Sequence, residues 1–220
     1  MCTACLLGAG VVMADMPSID WDLDDAIRQI DGQADNFETA MARVEFTVKD
    51  GDGQVIDSHF GNGFIRKDGD MRYSQDGGNR VVIVDGDTVS DYNRATETVT
   101  THSLRRNEGA LEGFYRLGFS IAGRDMKDRY LVTILGEEEL GDSRTLVLEL
   151  TPERDSERAV VGKIRLWIDQ SSWMPRRQEF SSRGDGSTTT VDYTDMARNL
   201  RLNPDLFDTN WPRGTKRIRQ

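Results

Sequence analysis

The chain has 220 residues, of which 37% are hydrophobic and 30% charged, and its formal net charge is -10. This length fits one β-rich domain, since such domains commonly reach ~200–250 residues without dividing. The excess of carboxylates argues against a nucleic-acid partner, which requires clustered Lys and Arg, and it opposes docking on anionic membranes.

Residues 1–14 contain no charged side chain and end in Val12-Met13-Ala14. This pattern is typical of a secretory signal with an A-x-A-like cleavage site, although the basic segment that normally begins a signal is missing. We expect a signal whose start is truncated or misassigned, followed by a single mature domain of residues 15–220. The alternative is a disordered cytosolic tail. A membrane-spanning helix does not fit, because the stretch is shorter than the ~20 apolar residues that such a helix needs.

Cys2 and Cys5 both fall inside this first segment, in a C-x-x-C spacing. A redox pair of this kind needs a βαβ setting, and a zinc site needs further Cys or His ligands. We therefore predict a mature protein with no disulfide, no metal and no cofactor.

The first predicted element is a helix. Pro17-Ser18 offers a helix start, and apolar residues recur at helical spacing over residues 19–30. Acidic residues occupy the predicted first turn, where they favour the positive end of the helix dipole. Gly32 is the predicted end of this helix.

From residue 41 the apolar period changes to two, which indicates half-buried strands. Val44, Phe46 and Val48 alternate with polar residues before the turn Asp50-Gly51-Asp52-Gly53. A returning strand follows this turn, with Ile56, Phe60 and Phe64 on one face. The later strands are predicted at residues 71–75, 81–84, 88–92, 96–102, 130–135, 144–150, 160–169, 173–180 and 187–193. Residues 107–121 interrupt the pattern and predict one or two short helices.

These elements predict a mainly β (α+β) fold, a curved antiparallel sheet that forms an unclosed half-barrel of about 11 strands. A sandwich or closed barrel is the alternative way to bury one face of so large a sheet. The predicted helices, residues 21–30 and 111–121, are the candidates for a lid over the concave face. A partly filled concavity is the default binding site.

The layout of the mature chain resembles the outer-membrane lipoprotein carriers of Gram-negative bacteria, the LolA-like family. The residues that carry the resemblance are an opening helix, the hairpin VKDGDGQVIDSHFGNGFIRKDGDMRYS, the segment VVIVDGDTVSDYN and the ending DLFDTNWPRGTKRI. The resemblance implies a monomeric, non-enzymatic periplasmic carrier. Such a carrier accepts acylated lipoproteins from an inner-membrane lipoprotein-releasing ABC transporter and passes them to an outer-membrane acceptor.

One motif departs from the family pattern. Where the family often has a basic residue followed by Arg-Pro, this chain has Arg66-Lys67-Asp68. The resemblance implies that Lys67 takes the place of an arginine that holds the lid, but a lysine lacks the planar fork of donors. The alternative is that Arg66 and Lys67 only solvate the end of a strand.

The predicted lipid-binding residues are apolar or aromatic side chains on strands and lid, and each of them has ordinary core packing as its alternative. They are Val44, Phe46, Phe64, Met71, Tyr73, Leu111, Phe114, Leu148, Leu166 and Ile168.

No catalytic residue is predicted. The two imidazoles, His59 and His102, have no catalytic motif beside them and are expected at the surface. Asp50 and Asp52 lack the partners of a calcium loop and fit a hairpin turn. The acidic run at residues 137–139 is expected to face solvent.

A second functional class stays open at this point. Similar curved sheets also serve as sensor or regulatory modules that bind lipids or peptides and signal through a partner. The basic residues near the end of the chain, Arg213, Lys216, Arg217 and Arg219, offer a docking site for an acidic partner or a solvated terminus.

Overall fold

The computed structural model describes residues 20–104 and 114–220. The predicted signal segment, both cysteines, the Pro17-Ser18 helix start and Leu111 lie outside the described residues. No helix in the described ranges is both long and apolar enough to span a membrane.

Twelve strands of the described chain form one sheet in the order β12-β6-β5-β4-β3-β2-β1-β11-β10-β9-β8-β7. Neighbours are antiparallel except β12, which pairs in parallel with β6. The sheet is curved and does not close, so the predicted half-barrel is confirmed, with one strand more than the expected count. The strands are β1 Thr39–Lys49, β2 Val55–Arg66, β3 Met71–Gln75, β4 Arg80–Asp85, β5 Thr88–Asn93, β6 Thr98–Ser103, β7 Tyr130–Leu140, β8 Ser143–Pro152, β9 Val161–Asp169, β10 Pro175–Ser182, β11 Thr188–Arg198 and β12 Lys216–Arg219.

Helix α1, Leu23–Asp35, begins at the N-cap Asp22, whose carboxylate accepts a hydrogen bond from the Asp25 amide at 2.7 Å. Gly32 was predicted to end this helix, and that prediction is wrong. The helix continues for three residues, in which the side chain of Ala34 is buried and the carbonyl of Asp35 accepts a hydrogen bond from Lys67. Tertiary burial therefore outweighs the low helix propensity of glycine here.

The second predicted helical segment is only partly helical. Residues 115–121 form turns around a bridge between Leu117 and Ile121, and helix α2, Gly123–Lys127, begins after them. Gly118 has a φ of 79°, a left-handed conformation that interrupts a right-handed helix. A third short helix, α3, spans Asp155–Arg158.

The two faces of the sheet are covered differently. The concave side of β8 and β9 is fully buried, and Leu148 lies directly opposite Leu166 in the pairing. On the convex side, the C-terminal residues pack against β3 to β6, where Tyr92 stacks on Trp211 with ring centroids 5.2 Å apart. The concave face is therefore the one that the helices and turns can shape into a site.

Candidate functional site

The lid, defined as α1 with residues 114–127, packs on the β7 to β10 half of the concave face. Trp21, just before α1, meets Trp173 edge to face at a centroid distance of 4.7 Å. A Cβ on Gly118 would lie 3.2 Å from both Ile168 and Pro175, so this turn lies directly on the sheet. This half of the concavity is filled.

The other half of the concave face contains a cavity. It lies over β1 to β4 and β11 and is bounded on the lid side by Tyr115 and Phe119. Its volume is about 120 Å³, and the space between its walls including the open mouth is about 840 Å³. Most of the lining is apolar, with Ala40, Ala42, Ile65, Val82, Val84 and Val191 among its members.

The predicted lipid-binding residues divide between the two halves. Five of them line the cavity: Val44, Phe46, Phe64, Met71 and Tyr73. The other four described residues, Phe114, Leu148, Leu166 and Ile168, belong to the closed core instead. They are covered because the lid packs against β8 to β10, so they do not reach the cavity.

Sequence reasoning missed several wall residues. Val82 and Val84 alternate on β4, a pattern that predicts a half-buried strand and could have indicated that both residues face the concave side. Tyr115 and Phe119 flank the Gly118 turn, and Tyr193 comes from β11. Tyr115 and Phe119 lie within the predicted lid segment 111–121, but no local pattern shows that these two residues or Tyr193 reach the cavity.

An aromatic cluster forms one end of the cavity. The ring of Phe46 stacks on His59 at 5.2 Å and meets Tyr73 edge to face at 4.9 Å. The side chain of His59 is only 14% exposed, and its Nδ1 lies 3.4 Å from the carboxylate of Asp57. The expected surface position of His59 is therefore wrong, since its strand places it on the concave face opposite Phe46.

Two polar contacts connect the turn of the lid to the sheet. Arg116 is half-buried, and its Nε and Nη2 both donate to the backbone carbonyl of Gly69, at 3.0 and 2.7 Å. Burial lowers the pKa of this guanidinium. Gln178 is fully buried, donates to the carbonyl of Leu117 at 2.7 Å and accepts from the hydroxyl of Tyr193 at 2.8 Å.

Lys67, the predicted lid-latch candidate, lies at the C-terminal end of α1. Its ammonium donates to the carbonyl of Asp35 at 3.0 Å and lies 3.2 Å from the carboxylate of Glu38. A cation at this end of a helix is favoured by the helix dipole. Lys67 is thus placed where it can hold α1, whereas Arg116 holds the neighbouring turn of the lid.

The acidic run at residues 137–139 does not simply face solvent. Glu137 is 11% exposed and pairs with Arg144, and Glu138 accepts a hydrogen bond from the indole of Trp167 at 2.8 Å. The expectation of a solvated run holds for Glu138 and Glu139, which are exposed on β7, and is wrong only for Glu137. Within the described ranges, no group of three His, Cys, Asp or Glu side chains is arranged to hold a metal ion.

Several solved structures with very different sequences are similar to this chain. An uncharacterized conserved protein from Thermus thermophilus is 10% identical, covers 90% of this chain and 98% of its own, and has a TM-score of 0.56. The lipoprotein LppX of Mycobacterium tuberculosis is 14% identical, with coverages of 82% and 97% and a TM-score of 0.51. A putative outer membrane lipoprotein-sorting protein domain from Vibrio parahaemolyticus is 14% identical, with coverages of 84% and 95% and a TM-score of 0.47.

Sequence comparisons add little to this picture. A family model described only as an uncharacterized protein matches residues 120–201. No curated protein matches the chain. The curved, unclosed sheet expected from the sequence is therefore also the fold of the Thermus and Mycobacterium proteins, and at these identities the matches establish the fold alone.

Proposed function

We propose that this protein is a periplasmic, non-enzymatic carrier that shelters the acyl chains of lipoproteins between its sheet and its lid. The observation that supports the proposal most is the apolar hollow over β1 to β4, on the half of the concave face that the lid leaves unfilled. Each methylene removed from water contributes ~0.8 kcal/mol, so an acyl chain crosses an aqueous compartment only if it is shielded.

The size of the cavity defines how binding proceeds. About 120 Å³ is less than the ~300–1,000 Å³ of typical ligand pockets, so a complete acyl chain requires the lid to move outward. The polar contacts of Arg116 and Lys67 lie on the side where this movement has to occur. Exchanging such hydrogen bonds for water costs ~1 kcal/mol each, which suits a lid that opens repeatedly.

A carrier of this kind needs a cargo, a donor and an acceptor. Acylated lipoproteins are the proposed cargo, an inner-membrane lipoprotein-releasing ABC transporter the donor and an outer-membrane protein the acceptor. A cavity that widens when the lid moves suits this task, because cargo has to leave as well as enter. The carrier acts as a monomer in this scheme.

A matched pair of variants on β4 tests the binding site. Val82→Phe adds volume inside the cavity, whereas Val81→Phe adds the same volume on the opposite face of the strand. Val82→Phe is expected to lower the affinity for the fluorescent probe N-phenyl-1-naphthylamine and for an acylated lipoprotein by about tenfold. Val81→Phe is expected to leave both affinities unchanged.

The decisive comparison uses the exported wild-type protein with one lipoprotein in acylated and non-acylated form. Retention of only the acylated form in a pull-down supports the proposal. Equal retention of both forms, or no binding of probe and lipoprotein, refutes it.

A further inference from the structure

We propose that the hydroxyl of Tyr73 donates a hydrogen bond to an acyl carbonyl oxygen of the bound lipid. The cavity would then select amphiphiles that carry an oxygen at this position over bare hydrocarbon. This inference rests on the proposed function and assigns one polar contact within the same cavity.

The hydroxyl of Tyr73 is the polar group that lacks a partner at this site. Its oxygen is buried, and it has no hydrogen-bond partner among the described residues. Buried hydroxyls are costly unless they are paired, so such a group in a binding cavity indicates a partner supplied by the ligand. The same residue lines the cavity wall.

The ring of Tyr73 is packed between two neighbours. On one side it contacts Gly61, where an added Cβ would come within 2.4 Å of Cε2 and 2.7 Å of Cζ. The edge-to-face contact with Phe46 holds its other side. Glycine at position 61 is thus what allows the ring to occupy this part of the wall.

The chemistry of the hydroxyl defines the class of its partner. Burial raises the pKa of Tyr73 to about 12, so the group remains protonated and donates at neutral pH. Esters and carboxylates offer only acceptor oxygens, and a neutral phenol is suited to both. The shared chemistry is therefore an acyl carbonyl, of a free fatty acid or of a lipoprotein ester.

The pairing of β3 with β4 shows which apolar side chains adjoin Tyr73 on the cavity wall. Tyr73 lies opposite Val82, and Met71 lies opposite Val84, one pleat further along the same face. An acyl chain whose carbonyl meets Tyr73 runs over Met71 and Val84, both of which line the cavity.

The test compares Tyr73→Phe, which keeps the ring and removes the oxygen, with wild type. Its matched control is Tyr92→Phe, because Tyr92 stacks on Trp211 on the convex face. Three ligands are titrated: palmitic acid, a diacylated lipopeptide, and N-phenyl-1-naphthylamine, which has no oxygen. The midpoint of thermal unfolding reports on folding.

Tyr73→Phe is expected to lower the affinity for palmitic acid, for the lipopeptide or for both by about 3- to 10-fold. Its affinity for N-phenyl-1-naphthylamine should not change. If only the affinity for palmitic acid falls, the carbonyl belongs to a fatty acid, and if only the affinity for the lipopeptide falls, it belongs to an ester. Unchanged binding of both oxygen-bearing ligands overturns the inference while leaving the carrier proposal intact, and so does an equal loss of all three. A wild-type protein that binds none of the three refutes the carrier proposal as well.

Discussion

Arg116 and Gly69 are joined by two hydrogen bonds between the lid and the turn that connects β2 to β3, with Nε and Nη2 of the guanidinium sharing one carbonyl oxygen. The sequence resemblance placed an arginine-like latch on the strand, at Lys67. The structure has an arginine on the lid that reaches the same turn from the opposite direction. In the proposed carrier, outward movement of the lid would break this contact as well as the contact of Lys67 with α1.

Removing the guanidinium should loosen the lid. We expect Arg116→Met to lower the free energy of unfolding by about 1–3 kcal/mol, since it leaves a part-buried carbonyl without its donors. The same change should speed the uptake of N-phenyl-1-naphthylamine in stopped-flow fluorescence. Arg124→Met is the control, because Arg124 joins α2 to Asp35 of α1 within the lid. Equal uptake rates in the two variants would refute the role of Arg116.

Gly69 should be sensitive to substitution for two reasons. Its φ is 92°, and an added Cβ would lie 2.3 Å from the guanidinium carbon of Arg116. We expect Gly69→Ala to lower the free energy of unfolding by about 1–3 kcal/mol and to displace the side chain of Arg116. Uptake of N-phenyl-1-naphthylamine should then be as fast as in Arg116→Met. Gly86→Ala is the matched control, since Gly86 also has a positive φ but open space around its Cβ. A similar uptake rate in both glycine variants would show that strain alone explains the effect.

Among these positions, substitution of Gln178 is expected to lower the free energy of unfolding most. Gln178→Leu leaves the carbonyl of Leu117 and the hydroxyl of Tyr193 buried without partners, so we expect a loss of about 2–4 kcal/mol in urea unfolding. In the double variant with Tyr193→Phe, part of this loss should be recovered, because the orphaned hydroxyl is then removed. Strictly additive losses would show that the two side chains do not act together.

Asp169 should make stability depend on pH in the acid range. Burial opposes its ionisation, but hydrogen bonds from Ser171 and Ser172 outweigh burial and lower its pKa from 3.8 to about 2. Because the folded pKa lies below the unfolded one, the stabilisation is complete above pH ~4 and is lost as the pH falls toward 2. Solvent screening at this turn limits the effect to about 1 kcal/mol.

Denaturant unfolding at several pH values checks this expectation. In Asp169→Asn, the decline in stability between pH ~4 and pH ~2 should be shallower than in wild type. Asp142→Asn, at a carboxylate that is 92% exposed in a nearby turn, serves as the control. A decline in Asp169→Asn as steep as that of wild type would contradict the assignment.

The strands were predictable because apolar residues recur at every second position of a half-buried strand, a pattern that is visible in the sequence. Leu146, Leu148 and Leu150 alternate in sequence and are fully buried on one face of β8. This alternation does not show which half of the concave face the lid fills. Val82 and Leu148 have equivalent patterns, yet the first lines the cavity and the second lies in the closed core.

The contacts that hold the lid were not predictable for a different reason. Arg116 and Gly69 are 47 residues apart, and their hydrogen bonds depend on a turn conformation rather than on a motif. Gln178 looks like any polar residue on a strand, and only the packing of the lid buries it. Long-range polar contacts of this kind leave no periodic signal.

Gly32 offers a prediction in the stabilising direction. It lies inside α1 on the exposed side, and an added Cβ would meet nothing within 4 Å. Alanine restricts the unfolded chain more than glycine does, so Gly32→Ala should raise the free energy of unfolding by about 0.5–1 kcal/mol. For a chain of this size, that gain corresponds to a rise of roughly 1–4 °C in the unfolding midpoint.

Gly53→Ala is the control for Gly32→Ala, because Gly53 also has open space around its Cβ but a φ of 81°. It should lower the midpoint, since alanine is strained in that conformation. If Gly32→Ala left the midpoint unchanged or lowered it, the second half of α1 would not be a stable helix in solution. The contact of Lys67 with the Asp35 carbonyl would then lose its structural basis, because that carbonyl is positioned by the last turn of the helix.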